Sequence, residues 1–167
     1  MNNRFALTTA GIASVAAAGA ASAEMISVFF HNDYYIGEDA WQISNSAGDV
    51  VASMYISGGS LFVTGSGIVD YGFGFFDPSA TSPLSSGYIT AVILDVASGD
   101  YTVTMTDTWG DGWVWNNATG EDAFTGGGTQ IAFTTGNSVS GTFNVVPAPG
   151  ALALLGLAGL AGRRKRN

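Results

Sequence analysis

The chain has 167 residues, a formal net charge of −8 and no cysteine. All thirteen acidic residues lie between Glu24 and Asp122, whereas the five basic residues are Arg4 and the cluster 163–166. The middle of the chain thus has no lysine or arginine to contact phosphate, which argues against nucleic acid as a partner. Without cysteine there is neither a disulfide nor a cysteine nucleophile, so stability must come from the core and from any bound metal.

The first 23 residues match a secretory signal peptide. Arg4 supplies the positive start, and residues 5–21 are apolar and rich in alanine. Ala21 and Ala23 then form an A-x-A cleavage site. We expect a cleaved signal helix and a mature chain that begins at Glu24 and is exported. The alternative is an uncleaved N-terminal membrane anchor.

Residues 24–146 form the predicted domain, about 120 residues, which is enough for one hydrophobic core. Its apolar or alternating segments are separated by clusters of Gly, Ser, Asn and Asp, and none has helical periodicity. The predicted strands are Met25–His31, Ala40–Ser44, Val50–Ile56, Leu61–Thr64, Ile68–Phe76, Tyr88–Val96, Tyr101–Thr106, Gln130–Thr134 and Val139–Val145. Short strands at this spacing predict an all-β fold, an antiparallel β-sandwich of the jelly-roll or immunoglobulin-like type.

Few residues of this domain suggest catalysis. His31 is the only histidine, no serine lies in a G-x-S-x-G elbow, and a zinc site would need more His or Cys ligands. A glycosidase-like pair of carboxylates among the thirteen acids stays open as the alternative. The sequence therefore favours a non-enzymatic protein over a secreted hydrolase.

The segment 106–117, TDTWGDGWVWNN, is the densest in groups that could bind a ligand. Two interpretations of its acids stay open. Asp107 and Asp111, with Glu121 or Asp122 completing the shell, could converge on calcium, which prefers six to eight oxygen ligands. Alternatively, this is an Asp-Gly turn, with one solvated aspartate and one that accepts hydrogen bonds from backbone amides. The EF-hand pattern is absent.

The three tryptophans of this segment also allow two interpretations. Exposed aromatic side chains stack on sugars or anchor protein partners, whereas aromatic side chains on the inner face of a sandwich belong to the core. We assign Trp109, Trp113 and Trp115 as candidate ligand contacts. Trp109 is the residue that we expect to be most exposed, and the pattern favours core or half-buried positions for the other two.

The string D-T-W-G-D-G-W resembles the D-x-(Y/W)-G-D-G loop of small extracellular β-sandwich modules, which are appended to secreted bacterial peptidases and surface proteins. The upstream strings N-D-Y-Y-I-G-E-D-A-W-Q-I at 32–43 and G-D-V-V at 48–51 fit the same modules. The resemblance covers most of residues 26–145. It implies an accessory or surface module and carries no catalytic role.

The C-terminal residues 147–167 combine a proline motif, an apolar run and a basic end. Pro147, Ala148, Pro149 and Gly150 precede ALALLGLAGLA, which is followed by R-R-K-R. A helix of about 15 apolar residues is roughly 22 Å long, shorter than the roughly 30 Å core of a bilayer. We expect a short transmembrane helix whose basic end stays in the cytoplasm.

This layout resembles the PEP-CTERM sorting signal of Gram-negative bacteria, which the membrane protease exosortase processes. Ala148 stands where that motif has glutamate. The resemblance implies an inner-membrane intermediate followed by transfer to the cell surface or the extracellular matrix. The alternative is a plain C-terminal anchor. The sequence as a whole predicts an exported, non-enzymatic binding or structural module, with calcium as the candidate cofactor and extracellular polysaccharide as the candidate partner.

Overall fold

The computed structural model describes residues 23–147. The strands are β1 (Ala23–Asn32), β2 (Asp39–Asn45), β3 (Val50–Ser57), β4 (Ser60–Thr64), β5 (Ile68–Phe75), β6 (Tyr88–Ala97), β7 (Gly99–Asp107), β8 (Phe124–Gly126), β9 (Thr129–Ile131) and β10 (Ser138–Val145), with one 3-10 helix at Pro83–Ser85. Over these residues the fold has no α-helix, and the predicted all-β class is confirmed. No helix within 23–147 has the length and apolarity to cross a membrane. The predicted signal peptide and C-terminal helix lie outside the described residues.

The strands form two antiparallel sheets of five strands each. Sheet 1 has the order β5-β6-β1-β8-β9, and sheet 2 has the order β10-β7-β2-β3-β4. β1 pairs with β6 along its whole length, from Ala23 opposite Ala97 to Asn32 opposite Tyr88. In sheet 2, β7 lies between β10 and β2. The end of β7 therefore lies beside the start of β2, and this arrangement positions the site described below.

The inner faces of the two sheets share one hydrophobic core, which makes the fold a β-sandwich. Phe30 of β1 stacks on Trp41 of β2 with ring centroids 3.9 Å apart. Phe124 of β8 packs on Phe143 of β10 with centroids 5.2 Å apart. Each large apolar side chain that is fully buried contributes about 1.5–3 kcal/mol to stability. Contacts between the sheets therefore supply the stability that disulfides provide in many exported domains.

The structure differs from the predicted strands mainly near the C-terminal end of the domain. β8 is not predicted by the pattern, because Phe124–Gly126 has only three residues and leads into a run of glycines. It pairs with β1 and forms a hairpin with β9. The predicted strand Gln130–Thr134 is shorter in the structure, where β9 ends at Ile131. Phe133 instead enters the core, and its carbonyl accepts a hydrogen bond from Trp113 N at 2.9 Å.

Candidate functional site

The loop after β7 is held by Asp107, the last residue of that strand. The Asp107 carboxylate is buried and accepts three backbone hydrogen bonds: from Trp109 N at 2.8 Å, from Gly110 N at 3.1 Å and from Gly112 N at 2.7 Å. Gly112 has φ +81, and a Cβ there would lie 2.6 Å from Thr135 N, so only glycine fits. The loop thus contains the amide-bound aspartate of the predicted Asp-Gly turn.

Three carboxylates meet at this loop. One oxygen from each of Glu38, Asp107 and Asp111 lies within 4.8 Å of the others. Asp39 pairs with Asp107 across β2 and β7, and the backbone N–H and hydroxyl of Thr108 both donate to the Glu38 carbonyl, at 3.0 and 3.1 Å. The predicted pair Asp107 and Asp111 therefore does converge, and Glu38 is the third member of the group.

Glu121 and Asp122 do not join this group in the described part of the chain. Asp122 lies instead beside β1, where its Oδ1 is 3.2 Å from His31 Nδ1. Glu121 is exposed, and its backbone carbonyl accepts a hydrogen bond from the Gln130 side chain. The structure therefore separates the four predicted metal ligands into two places, because the chain after Trp115 returns toward sheet 1.

Exposed aromatic side chains surround the three carboxylates. Trp109 is 78% exposed and Trp115 is 46% exposed. Tyr35 packs against Trp115 with ring centroids 5.6 Å apart. Together with Glu38 and Asp111, these rings line an open cleft of about 370 Å³. The cleft offers flat apolar surfaces and carboxylate oxygens to the same ligand.

Trp113 is not part of the cleft. Its side chain is fully buried, packs on Phe133 with ring centroids 5.6 Å apart, and donates from Nε1 to the Thr106 carbonyl at 3.3 Å. The assignment of Trp113 as a ligand contact is therefore corrected, since its ring belongs to the core. The turn at Gly112 directs Trp113 inward, while Trp115, two residues on, lies at the surface.

Behind the three carboxylates lie further acids that are buried. Burial raises the pKa of Asp39 to about 9; the Asp33 carboxylate adds to this rise, and a hydrogen bond from Asn32 Nδ2 at 3.0 Å opposes it. Burial likewise raises the pKa of Asp33 to about 6. The pKa of Glu38 is also raised, by burial and by the carboxylates of Asp107 and Asp111. Because residues 24–147 include no lysine or arginine, no such side chain in the described part of the chain lowers the pKa of these acids.

Two buried atoms near these acids lack partners. Asn32 is fully buried, and its Oδ1 makes no hydrogen bond with any described residue. The His31 ring stacks on Phe76 with centroids 3.5 Å apart, and its Nε2 is likewise buried without a partner in the described residues. Burial lowers the pKa of His31, and the Asp122 carboxylate opposes that shift. No serine hydroxyl within 23–147 contacts the His31 ring.

Two members of the site, Glu38 and Tyr35, were not predicted from the sequence, and both come from before β2. The string at 32–39 combines acidic and aromatic residues, as the loop at 106–117 does, and this composition could have marked both residues as candidates. The local pattern does not reveal the pairing of β2 with β7, which brings that string to the loop.

Comparisons with protein-family models, with curated proteins and with solved structures find no match. The function of the chain must therefore be inferred from its own residues.

Proposed function

We propose that this chain is an exported, non-enzymatic surface or matrix protein whose β-sandwich binds an extracellular ligand at the cleft beside the β7–β8 loop, with calcium as the cofactor. The convergence of Glu38, Asp107 and Asp111 beside exposed tryptophans carries this proposal. Both features lie at one end of the sandwich, where loops are free to contact a partner.

Calcium fits the donor set. Calcium binds oxygen at about 2.3–2.6 Å, so two ligands on opposite sides of one ion are about 4.6–5.2 Å apart. The three carboxylate oxygens lie within 4.8 Å of one another, a span that one such ion could bridge. All donors are hard oxygens, and loop carbonyls and water would supply the rest of the shell. A cation there would also lower the raised pKa of the buried acids behind it and so favour their charged forms.

An extracellular polysaccharide is the ligand that the cleft fits best. Trp109, Trp115 and Tyr35 present ring faces, and aromatic rings recognise the apolar faces of sugars by stacking and contact. Glu38 and Asp111 supply acceptors for sugar hydroxyls, directly or through the cation. The likeness to secreted β-sandwich modules supports the same proposal. The proposed type of sandwich is the jelly-roll or immunoglobulin-like one that the strand spacing predicts.

Export and sorting complete the proposal. The A-x-A site at Ala21 and Ala23 would release the mature chain, and the C-terminal apolar segment would hold it in the inner membrane. An exosortase-type protease acting near Pro147 and Pro149 would then transfer it to the surface. Mass spectrometry of the mature protein from a Gram-negative host that contains an exosortase tests this sequence of events. Loss of the basic C-terminus supports it, and an intact C-terminus indicates a plain anchor.

A secreted hydrolase is the second candidate, because the site also contains a carboxylate pair. Retaining glycosidases place two carboxyl groups about 5–5.5 Å apart, and the acid of the pair has a raised pKa. Glu38 has a raised pKa, whereas the neighbouring Asp107 carboxylate accepts hydrogen bonds from three backbone amides. Release of reducing sugar from a polysaccharide, abolished in Glu38→Gln, would favour this candidate over a binding module.

The experiment that tests the calcium site is thermal unfolding of the full chain in a mild non-ionic detergent, at fixed sodium chloride, with calcium or with chelator. Extracellular calcium modules bind with dissociation constants of about 10⁻⁴–10⁻³ M. At roughly 10 mM calcium such a site adds about 1.5–3 kcal/mol, or several degrees in a domain of this size. Asp111→Ala should abolish the shift.

The matched control is Asp95→Ala, which removes an exposed acid from β6, far from the loop in the fold. This variant should keep the full calcium shift. Equal unfolding temperatures in calcium and in chelator for the wild-type chain would refute the calcium proposal. Loss of polysaccharide binding in Trp109→Ala, with an unchanged unfolding temperature, would support the binding cleft separately.

A further inference from the structure

The outer face of sheet 2 carries an ordered array of uncharged polar side chains. One row crosses all five strands in register and consists of Ser140, Thr104, Gln42, Ser53 and Thr64. Thr104, Gln42 and Ser53 lie between buried core residues, so their side chains face outward. Ser140 and Thr64 follow Val139 and Val63, which are partly buried against the core, and so face outward as well. We call this surface the hydroxyl face. It is separate from the loop cleft and shares no residue with it.

An aromatic pair borders the hydroxyl face. Tyr55 of β3 lies opposite Phe62 of β4, and their rings stack with centroids 5.3 Å apart and planes 16° from parallel. Both side chains are more than 40% exposed. A shallow groove of about 360 Å³ runs from Tyr55 past Ala40 and Gln42 to the threonines of β7, and the small Ala40 side chain forms part of its lining.

The hydrogen-bonding groups of this groove are only partly used within the fold. The hydroxyls of Ser53 and Thr106 donate to the carbonyls of Thr64 and Ala40, each at 3.3 Å, and keep lone pairs that can accept. The Gln42 side chain makes no hydrogen bond with the described residues. Thr104 and Ser140 share one hydrogen bond of 2.9 Å between their hydroxyls, which leaves further lone pairs on both oxygens. The groove therefore offers both donors and acceptors beside a flat ring surface.

The charge distribution selects the occupant. None of the residues that line the groove is ionisable at neutral pH, although the chain between 24 and 147 has thirteen acids and no lysine or arginine. Anionic polymers would be repelled by that net charge, and a cationic partner would prefer the acids elsewhere. The groove sets an exposed ring and other apolar side chains beside four uncharged polar ones, Gln42, Ser53, Thr104 and Thr106. A neutral polysaccharide, whose sugars have both apolar faces and hydroxyls, fits this combination.

We propose that the hydroxyl face is a second binding site, which takes an extended, uncharged polysaccharide chain. The rings of Tyr55 and Phe62 stack on the sugar faces, while Gln42 and the hydroxyls of β7 exchange hydrogen bonds with sugar hydroxyls. This site does not depend on calcium or on the tryptophans of the loop cleft.

Affinity gel electrophoresis of the full chain in mild detergent tests the proposal. The probes are three neutral polymers (hydroxyethyl cellulose, a soluble β-glucan and xylan) and one anionic polymer, alginate. We expect retardation by at least one neutral polymer and none by alginate. The double variant Tyr55→Ala/Phe62→Ala should lose at least tenfold in affinity, and Tyr55→Phe, which keeps the ring, should lose little.

Control variants distinguish binding at the hydroxyl face from binding elsewhere on the chain. Tyr71→Ala removes a similarly exposed ring from β5 of the other sheet and should leave binding unchanged. In chelator and in Trp109→Ala, which disable the loop cleft, retardation by the hydroxyl face should persist and should still depend on Tyr55 and Phe62. Retardation lost in Trp109→Ala would place the polymer in the loop cleft and overturn the proposal, as would a lack of retardation by every neutral polymer. If the double variant does not fold, Gln42→Ala decides: affinity equal to wild type overturns the proposal, and a severalfold loss supports it.

Discussion

Replacing Asp107 with alanine tests whether one side chain holds the loop in the absence of any cation. The substitution removes all three hydrogen bonds from the backbone amides of Trp109, Gly110 and Gly112. Trp109 is largely exposed, so water can replace the bonds to its amide and to the neighbouring amide of Gly110. The Gly112 amide is buried, and it would be left without a partner.

The magnitude follows from these differences. A hydrogen bond to a charged group contributes about 1.5–3 kcal/mol, and an unsatisfied buried donor costs about 1–3 kcal/mol. Counting the buried Gly112 bond near the upper value and the two solvated bonds at about 1 kcal/mol each gives roughly 4–5 kcal/mol. Removing one carboxylate from beside Asp33 and Glu38 relieves about 1 kcal/mol of repulsion. We therefore expect Asp107→Ala to lose about 3–4 kcal/mol.

Urea unfolding at pH 7 in chelator, followed by tryptophan fluorescence, to which the buried Trp41 and Trp113 contribute, measures this loss. Asp107→Asn keeps one accepting oxygen and should lose about half as much. Asp111→Ala is the control, because that side chain is exposed and accepts no hydrogen bond in the described residues, so its effect should stay within about 0.5 kcal/mol. An Asp107→Ala variant that unfolds within about 1 kcal/mol of wild type would refute the proposed role of this carboxylate.

Three further predictions concern the backbone, the histidine and salt. Gly112→Ala should lower the free energy of unfolding by about 2–3 kcal/mol, because its positive φ combines with a backbone clash. Gly48→Ala, where φ is +88 but the space is open, should lower it by only about 1–2 kcal/mol in the same urea assay. Burial lowers the pKa of His31, so the unfolded chain takes up the proton at a higher pH than the folded chain. As pH falls from 7 to 5, the urea midpoint of the wild type should therefore fall relative to that of His31→Gln. A difference between the two midpoints that stays constant with pH would contradict this. Raising sodium chloride from 0.1 to 1 M in chelator should raise the unfolding temperature by screening the acids, and an unchanged temperature would contradict this.

The strands were predictable because their physical signal is local. Along β7, Tyr101, Val103 and Met105 are buried while the threonines between them face outward, and this alternation is visible in the sequence. β8 was not predictable in this way. It is three residues long, and it is a strand because Phe124 pairs with Phe30 and packs into the core, a contact between distant parts of the chain.

The site was predictable only in its loop. The spacing of Asp107 and Asp111 around glycine indicated that both carboxylates serve one turn, and the structure brings them together. Glu121 is also close in sequence, yet the chain turns away before it. Glu38 is distant in sequence and completes the group, because β2 pairs with β7. Strand order, which no local pattern encodes, therefore decided which acids share the site.

The acids of this domain fall into two classes that differ in how far solvent reaches them. Exposed acids such as Asp95 interact through water, and salt screens them over about 10 Å or less. Asp33 and Asp39 are buried, so dissolved salt screens them poorly, and their raised pKa values show how far burial disfavours their charge. A saline environment would screen the repulsion between the exposed acids but not the cost of charging the buried ones. The buried acids lie directly behind Glu38, where a bound cation would lower their pKa values. Salt adaptation alone therefore does not account for the acids at this end of the sandwich, and the proposed calcium ion would.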